Sequence, residues 1–584
     1  MNQRELLKQA RGINKAEKVF KNALVLDVFN EKLNNTDIAV ADGIILGVGD
    51  YQGQEEIDMS GKIIIPGLID AHLHLESSMT NVDEFAREII PRGTTTIVAD
   101  PHEIANVAGL IGIHYLLKAG KAQPWNFNLM MPSCVPASKY ENSGAELSAS
   151  DLRPLLDEDG IFGLGEVMDY PSVINGDSEI WKKIELASDL FKDGHAPELS
   201  ELDLNAYLLA GIAADHEATT AEEALEKVSK GMYIMIREGS VTRDLVSLLP
   251  AVNSSNCSRF MFATDDRHPE DLLAEGQIDF AVRKAVQYGL SPMRAVRMAT
   301  INAAQALGLK KIGAVAPGYK ADLLVLDNLR DFNIKRVYKD GKLVAENGTL
   351  LKSVDKSISS AAEDRLSEEI REEIFNSVKI ADISRKDFVL PKAKKYRVIE
   401  LLKDKVVTKA SVYTTENNYK GEPPAIELIG HNLVKLAVVE RHKNTGRVGL
   451  GLLRNFGLRR GAVATSIGHD AHNIIVAGLN SNDMLLAVKE IEKMQGGLVI
   501  VVDGKVEQKL ALPVAGLMAV KPLREVAEKL QKMRSTANSL GVSREGPFMT
   551  LSFMALTVIP ELKLTDEGLF DVRKFEKVDL VLEE

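Results

Sequence analysis

The chain opens on a polar stretch, MNQRELLKQARGINKAEKVF, whose scattered apolar residues predict a short amphipathic surface helix over 1–20. From Ala23 the pattern changes. ALVLDVFN, DIAVADGIILGVG and EEIDMSGKIIIPG are short β-rich runs broken by Asn-Asn, Asp-Gly and Ser-Gly, which predicts strands joined by turns. So small a β unit cannot bury a core alone, so a partner segment is expected elsewhere.

Across residues 63–305, apolar runs alternate with helical spacing. The predicted strands are IIIPGLIDAHLH, GTTTIVADPH, FNLMMPSCVP, IFGLGEVMD, DLFKDGHA, AYLLAGIAADHE, MYIMIREGS and RFMFATDD. Helical patterns such as NVDEFAREIIP, DSEIWKKIELAS and TAEEALEKVSKG lie between them. Continuous apolar strands separated by helices predict a parallel sheet covered on both faces. Eight such units predict a closed (β/α)8 TIM-like barrel.

Residues 306–350 return to a β pattern and are the natural partner of 1–62, making one small β-sandwich from the two flanking segments. Residues 351–395 read as a charged helical connector, and 396–584 as a C-terminal α/β unit. Its predicted strands include VIELL, LAVVERH, VGLGLL, NIIVAG and GLVIVVDG; its helices include NDMLLAVKEIEKM and REVAEKLQKMRSTANSL.

Composition narrows the function classes. Of 584 residues, 45% are hydrophobic and 26% charged with both signs interspersed, an ordinary soluble globular balance. The net charge is −12 and no basic stripe occurs, which argues against nucleic-acid binding. Cys134 and Cys257 are too few for a disulfide framework or a four-thiolate metal site, and fit a reducing cytoplasm. The start is too polar for a signal peptide, and no run reaches the roughly 18 apolar residues of a membrane helix.

The predicted strand ends carry the chemistry. His72 and His74 are two apart on a strand, so they face the same way. Barrel strands bear functional residues at their C-terminal ends. The other ends add Asp100 and His102, Glu166, His195, His216 with Glu217, and Asp265 with Asp266, so six of eight strands finish in a histidine or an acid. These nitrogen and oxygen donors suit Zn, Mn or Fe(II). Asp100 and His102 bind a metal or hold substrate; the alternative is a turn fixed by Pro101.

This pattern resembles the amidohydrolase superfamily: His-x-His on strand one, a bridging acid or modified lysine on strand four, His on strands five and six, Asp on strand eight. His72, His74, Glu166, His195, His216 and Asp265 stand at those positions. Within the superfamily, PGLIDAHLHLESSM, VADPHEIANVAG, DGHAP, DHE, TDDRHP and the C-terminal VVERHKNTGRVGLGLLRNFGLRRGAVATSIGHDAHNIIVAG are similar to the bacterial and archaeal adenine deaminases. Strand five departs from the usual apolar approach, with Lys192 ahead of His195.

The resemblance implies hydrolysis of adenine to hypoxanthine and ammonia in purine salvage, a binuclear Mn or Fe(II) centre with Zn compatible, and a homodimer. Glu166 is then the candidate bridge and Asp265 the candidate base, with Glu217 or Asp266 to protonate the ring. Arg237 and Glu238 are candidate purine contacts, or an internal ion pair; Glu76 lines the pocket or begins a loop. His469 and His472, three apart in SIGHDAHN, would share a helix face, and a cap over the barrel mouth would bring them near substrate. Ordinary polar packing is the alternative. His114, His268, His431 and His442 read as structural. With two distant cysteines, the His/Cys/Cys deaminase route is closed. The competing functions are a cyclic-amide or N-acetyl hydrolase and a non-catalytic barrel scaffold.

Overall fold

A computed structural model describes residues 3–361, 366–403, 405–416, 421–544 and 546–583. The opening helix is only Gln3–Ala10, because Ala16 already starts strand β1 (Ala16–Asp27). Strands β2 (Lys32–Ala41), β3 (Ile44–Gly49), β4 (Gly53–Asp58) and β5 (Ile63–Pro66) follow. β1 pairs antiparallel with β2 and parallel with β4 and β5. The run IIIPGLIDAHLH is therefore two strands rather than one. Its first half, β5, belongs to this N-terminal sheet, and only Leu68–Leu73 (β6) faces the site.

β6, β7 (Thr94–Ala99), β8 (Asn126–Met131), β9 (Ile161–Val167) and β10 (Phe191–Gly194) form one parallel five-stranded sheet. β11 (Ala214–Asp215), β12 (Tyr233–Arg237) and β13 (Phe260–Ala263) form a parallel three-stranded sheet. The two arcs meet at both edges. Ala213 N–H donates to the Lys192 carbonyl at 3.0 Å, and Leu73 bridges Asp265 in parallel register. Eight parallel strands thus follow one another in chain order around a ring. Alternation divides their side chains: Val98, Met235 and Met261 join an apolar cluster with Ala303 and Leu307, while Ile97, Ile234, Ile236, Phe260 and Phe262 join the larger core with Phe85 and Leu116.

One expected strand, AYLLAGIAADHE, differs. AYLL, read as strand, lies in the helix Glu201–Leu209, where Leu204 and Tyr207 are buried at helical spacing and Leu209 is exposed. β11 keeps only two residues. β10 does contain Lys192, buried, with its ammonium donating to the Ser188 carbonyl at 3.3 Å.

β14 (Leu323–Leu326), β15 (Ile334–Lys339), β16 (Lys342–Glu346) and β17 (Thr349–Leu350) return to the first sheet. β14 pairs antiparallel with β5, so the two segments expected as a sandwich join as one continuous nine-stranded sheet. Phe20, Ile38, Ile64, Leu323 and Tyr338 pack together on it. The connector holds the helices Lys352–Ala361 and Glu368–Phe375, with a 3-10 turn at Arg385–Phe388.

The C-terminal unit is built on an eight-stranded sheet of β18 (Lys395–Leu401), β19 (Thr408–Thr414), β20 (Leu433–Val439), β21 (Val448–Arg454), β22 (Ala462–Thr465), β23 (Ile474–Gly478), β24 (Gly497–Val502) and β25 (Lys505–Ala511). Only β18 and β21 pair in parallel. The helices Ser481–Met494 and Leu523–Ser539 pack on it, and a three-stranded sheet spans Leu562–Val578. This unit is bonded to the ring of parallel strands. Ala519 N–H donates to the Met79 carbonyl at 2.9 Å, and Asn81 N–H to the Ala519 carbonyl at 3.0 Å. Among the described residues, no helix is long and apolar enough to cross a membrane.

Lys563 is fully buried in this unit, donating to the Phe553 carbonyl at 2.9 Å. Burial pushes its ammonium down to about 7. Between about 7 and the ordinary lysine value the unfolded chain binds more protons than the folded one, so stability rises with pH across that window. The melting temperature of the wild type relative to Lys563→Met is expected to climb as pH is raised from about 7 to about 10. Calorimetry showing a pH-independent difference would contradict this.

Candidate functional site

β6 delivers His72, and His74 follows one step beyond its end on the same side. Their Nε2 atoms lie 3.3 Å apart. Deeper on that face, Asp70 locks the strand. It accepts from Thr264 N–H at 3.1 Å, Thr264 Oγ1 at 2.6 Å and Gln277 Nε2 at 2.8 Å. That ties β6 to the end of β13 and sets Asp265, whose N–H donates to the His72 carbonyl at 3.1 Å. Asp265 takes a left-handed backbone (φ 57°), which aspartate tolerates better than most residues.

Glu166, near the end of β9, is shared by four imidazoles. Its Oε1 is 2.8 Å from His74 Nε2 and 3.3 Å from His72 Nε2. Its Oε2 is 2.8 Å from His195 Nδ1 and 3.4 Å from His216 Nε2. Asp265 Oδ1 lies 3.4 Å from His74 Nε2 and 3.7 Å from His72 Nε2. Its other oxygen is 3.2 Å from Arg237 Nη1. Arg237 also pairs with Glu217 and, at 3.0 Å, with Asp244.

These groups are buried, and burial alone would raise the carboxyls. The histidines instead hold Glu166 and Asp265 well below the usual carboxylate range. Burial would likewise lower His72 and His74, but the surrounding acids push both up. The cluster demands positive charge at its centre. A divalent cation meets that demand, and the donors fit one. His72, His74 and Glu166 offer ligand atoms within 4.8 Å of one another, as do Glu166, His195 and His216. Glu166 Oε1 has no hydrogen-bond partner among the described residues. His74 Nδ1 faces the Asp100 carbonyl at 3.2 Å and His72 Nδ1 faces Asp193 at 2.9 Å, which leaves each Nε2 free to ligate.

Several predicted residues sit elsewhere in the arrangement. Asp100 is occupied as a scaffold: Oδ1 accepts from His102 N–H at 3.0 Å and Oδ2 from Glu166 N–H at 2.8 Å. Residue 165 has to be glycine, since a Cβ there would meet Asp100 Oδ2 at 2.0 Å. His102 stands beside the cluster, Nδ1 3.7 Å from Glu166 Oε1. Glu238 turns away from the site to pair with Lys284 at 2.6 Å, because consecutive strand residues face opposite sides and Arg237 faces inward. His469 and His472 lie on a loop between β22 and β23, not on a helix, and both meet Glu103. His472 is fully buried and lines the same cavity as His469 and Glu103. Glu76 borders a cavity with Glu103 and His469, one oxygen accepting from Ile104 N–H at 3.0 Å. Burial, aided by Glu103, pushes its carboxyl up to about 7. Asp266 accepts from the Ser77 hydroxyl.

Sequence reasoning missed Asp193 and Glu103. Asp193 stands two residues before His195 in DGH, so strand alternation would have placed it on the same side. Glu103 carried no such signal; its partners are more than 350 residues away.

Two family models match the chain: the amidohydrolase family over residues 63–344 and the adenine deaminase C-terminal domain over 405–576. The adenine deaminase of Petrotoga mobilis is 53% identical over 582 residues, covering 100% of both chains. Adenine deaminase 2 of Carboxydothermus hydrogenoformans is 45% identical over 99% of both, and the adenine deaminase of Clostridium acetobutylicum 43% over 98% of this chain and 99% of that one. A ring of parallel strands ending in His and acid donors, both family matches and this identity along the whole length place the chain in the adenine deaminase family of the amidohydrolases.

Proposed function

We propose that the chain hydrolyses adenine to hypoxanthine and ammonia at the C-terminal ends of the ring strands. The observation that carries this reading is Glu166, one carboxylate shared by four imidazoles from three strand ends. His72, His74, Glu166, His195, His216 and Asp265 would hold a divalent metal centre. Their nitrogen and oxygen donors suit Mn, Fe(II) or Zn, and the family resemblance favours the first two. Such a centre supplies the Lewis acidity that makes water a nucleophile at neutral pH.

The chain's own groups then manage protons. Water oxygen adds to C6 of adenine, N1 gains a proton, and the exocyclic C–N bond breaks to release ammonia. Asp265 is the base for the attacking water. Arg237 pins its Oδ2, leaving Oδ1 toward the histidines. Asp266 is the better proton carrier for the ring, since burial and the neighbouring Asp265 charge both raise its carboxyl. Glu217, paired with Arg237, orients that arginine. Asp193 fixes the tautomer of His72.

Purified chain loaded with Mn(II) or Fe(II) is expected to release equal amounts of ammonia and hypoxanthine from adenine. A metal-loaded chain that releases none overturns the proposal. Glu166→Gln should lower both the metal bound per chain and turnover. Asp193→Asn should weaken metal affinity or activity by about 10–100-fold, read by metal titration and steady-state kinetics.

A further inference from the structure

The loop 466–473 of the C-terminal unit reaches the helix that follows β7, where His469 and His472 meet Glu103, the residue after His102. Its turn is tight: His472 N–H donates to the Gly468 carbonyl at 2.6 Å, with His472 in the left-handed region (φ 56°). A Cβ on Gly468 would meet the Asn473 carbonyl oxygen at 2.8 Å, so the turn requires glycine. The turn sets the rings of His469 and His472 with centroids 5.6 Å apart. Glu103, from the first turn of the helix His102–Lys121, lies between them. Its Oε1 is 2.8 Å from His469 Nδ1, and its Oε2 contacts His472 Nε2.

The two histidines are not equivalent. Gly468 N–H donates to His472 Nδ1 at 3.3 Å, so Nε2 of that ring carries a proton toward Glu103. That Nε2 meets Glu103 Oε2 in close contact, though neither atom makes a regular hydrogen bond among the described residues. His469 spends only Nδ1 on Glu103. Its Nε2 is buried, with no hydrogen-bond partner among the described residues. The ring is held in plane by stacking on Phe553, centroids 5.5 Å apart at 19°. It borders the cavity lined by Glu76, Ser77, His268 and Met549, on the side where Ser77 holds Asp266. A buried ring nitrogen without a protein partner, at the edge of a cavity that Ser77 links to Asp266, calls for a ligand atom.

We infer that His469 is a further substrate-binding residue: its Nε2–H donates to an acceptor nitrogen of the purine away from C6, N3 or N7, and Glu103 backed by His472 is a positioning residue for it. The inference rests on the deaminase reading above. Burial opposes protonation of His469, but Glu103 prevails and pushes it up to about 9, consistent with a donor at Nε2. The C-terminal unit then completes a site that the strand ring leaves open.

The test compares wild type with His469→Gln, His469→Asn and Glu103→Gln, all metal-loaded. It measures kcat/KM, or Ki where turnover is absent, for adenine, 3-deazaadenine and 7-deazaadenine. Wild type is expected to disfavour one deaza compound by about tenfold or more. In the His469 variants adenine should fall to that same level and the penalty should vanish, while metal per chain stays unchanged. Glu103→Gln should blunt the same discrimination, and adding it to His469→Gln should cost nothing more. Should the His469 variants fail to fold, Glu103→Gln alone decides by that loss of discrimination. Active wild type whose variants slow all three compounds equally, or leave adenine unaffected, overturns this inference alone. Wild type inert toward adenine overturns the deaminase reading and this inference with it.

Discussion

One carboxylate, buried among four imidazoles, sets the terms for the rest of the molecule. Glu166 can sit there only if the ends of β6, β9 and β10 and the residue after β11 converge within hydrogen-bonding distance of a single side chain. A parallel ring achieves this because every strand ends at the same rim. The charge is tolerable because each of its oxygens meets two ring nitrogens, and the acids around it create a centre fitted to a divalent cation.

That centre is held by a second set of buried acids, each spending its oxygens on positioning. Asp70 fastens β6 to Thr264. Asp100 ties the backbone of Glu166 to that of His102. Asp215 accepts from Ala196 N–H at 2.9 Å, from Glu217 N–H at 3.1 Å and from Lys227 at 2.9 Å, so it fixes the segments carrying His195 and His216 together. The Asp215–Lys227 pair has no solvent exposure, and removing either partner would leave a buried charge uncompensated. Rigid strand ends supported in this way keep donors in place before any ligand arrives.

The C-terminal unit belongs to the site rather than beside it. The segment just after the His-x-His strand is hydrogen-bonded to Ala519, and Glu103 is gripped by two histidines from the loop between β22 and β23. The strand ends and the C-terminal loop thus bring together parts of the chain separated by hundreds of residues, and the contact between them is built from buried polar groups.

Local pattern determined much by itself. Period-two alternation placed His72 with His74, and helical spacing marked the segments around Phe85, Trp181 and Leu225. Donor chemistry at successive strand ends pointed to a metal site, and the resemblance to the amidohydrolases implied hydrolysis there. Pattern failed where two structures share one signature: AYLL is apolar enough for a strand but buries Leu204 and Tyr207 as a helix, and IIIPGLIDAHLH is a continuous run that tertiary pairing splits between two sheets. Tertiary structure alone decided that Glu238 faces Lys284, that Asp100 holds backbone amides, and that Glu103 meets His469 and His472. The physical reason is range. Side-chain direction along an element follows from its own residues, but which buried charge meets which partner depends on how distant elements pack, and no local spacing encodes that.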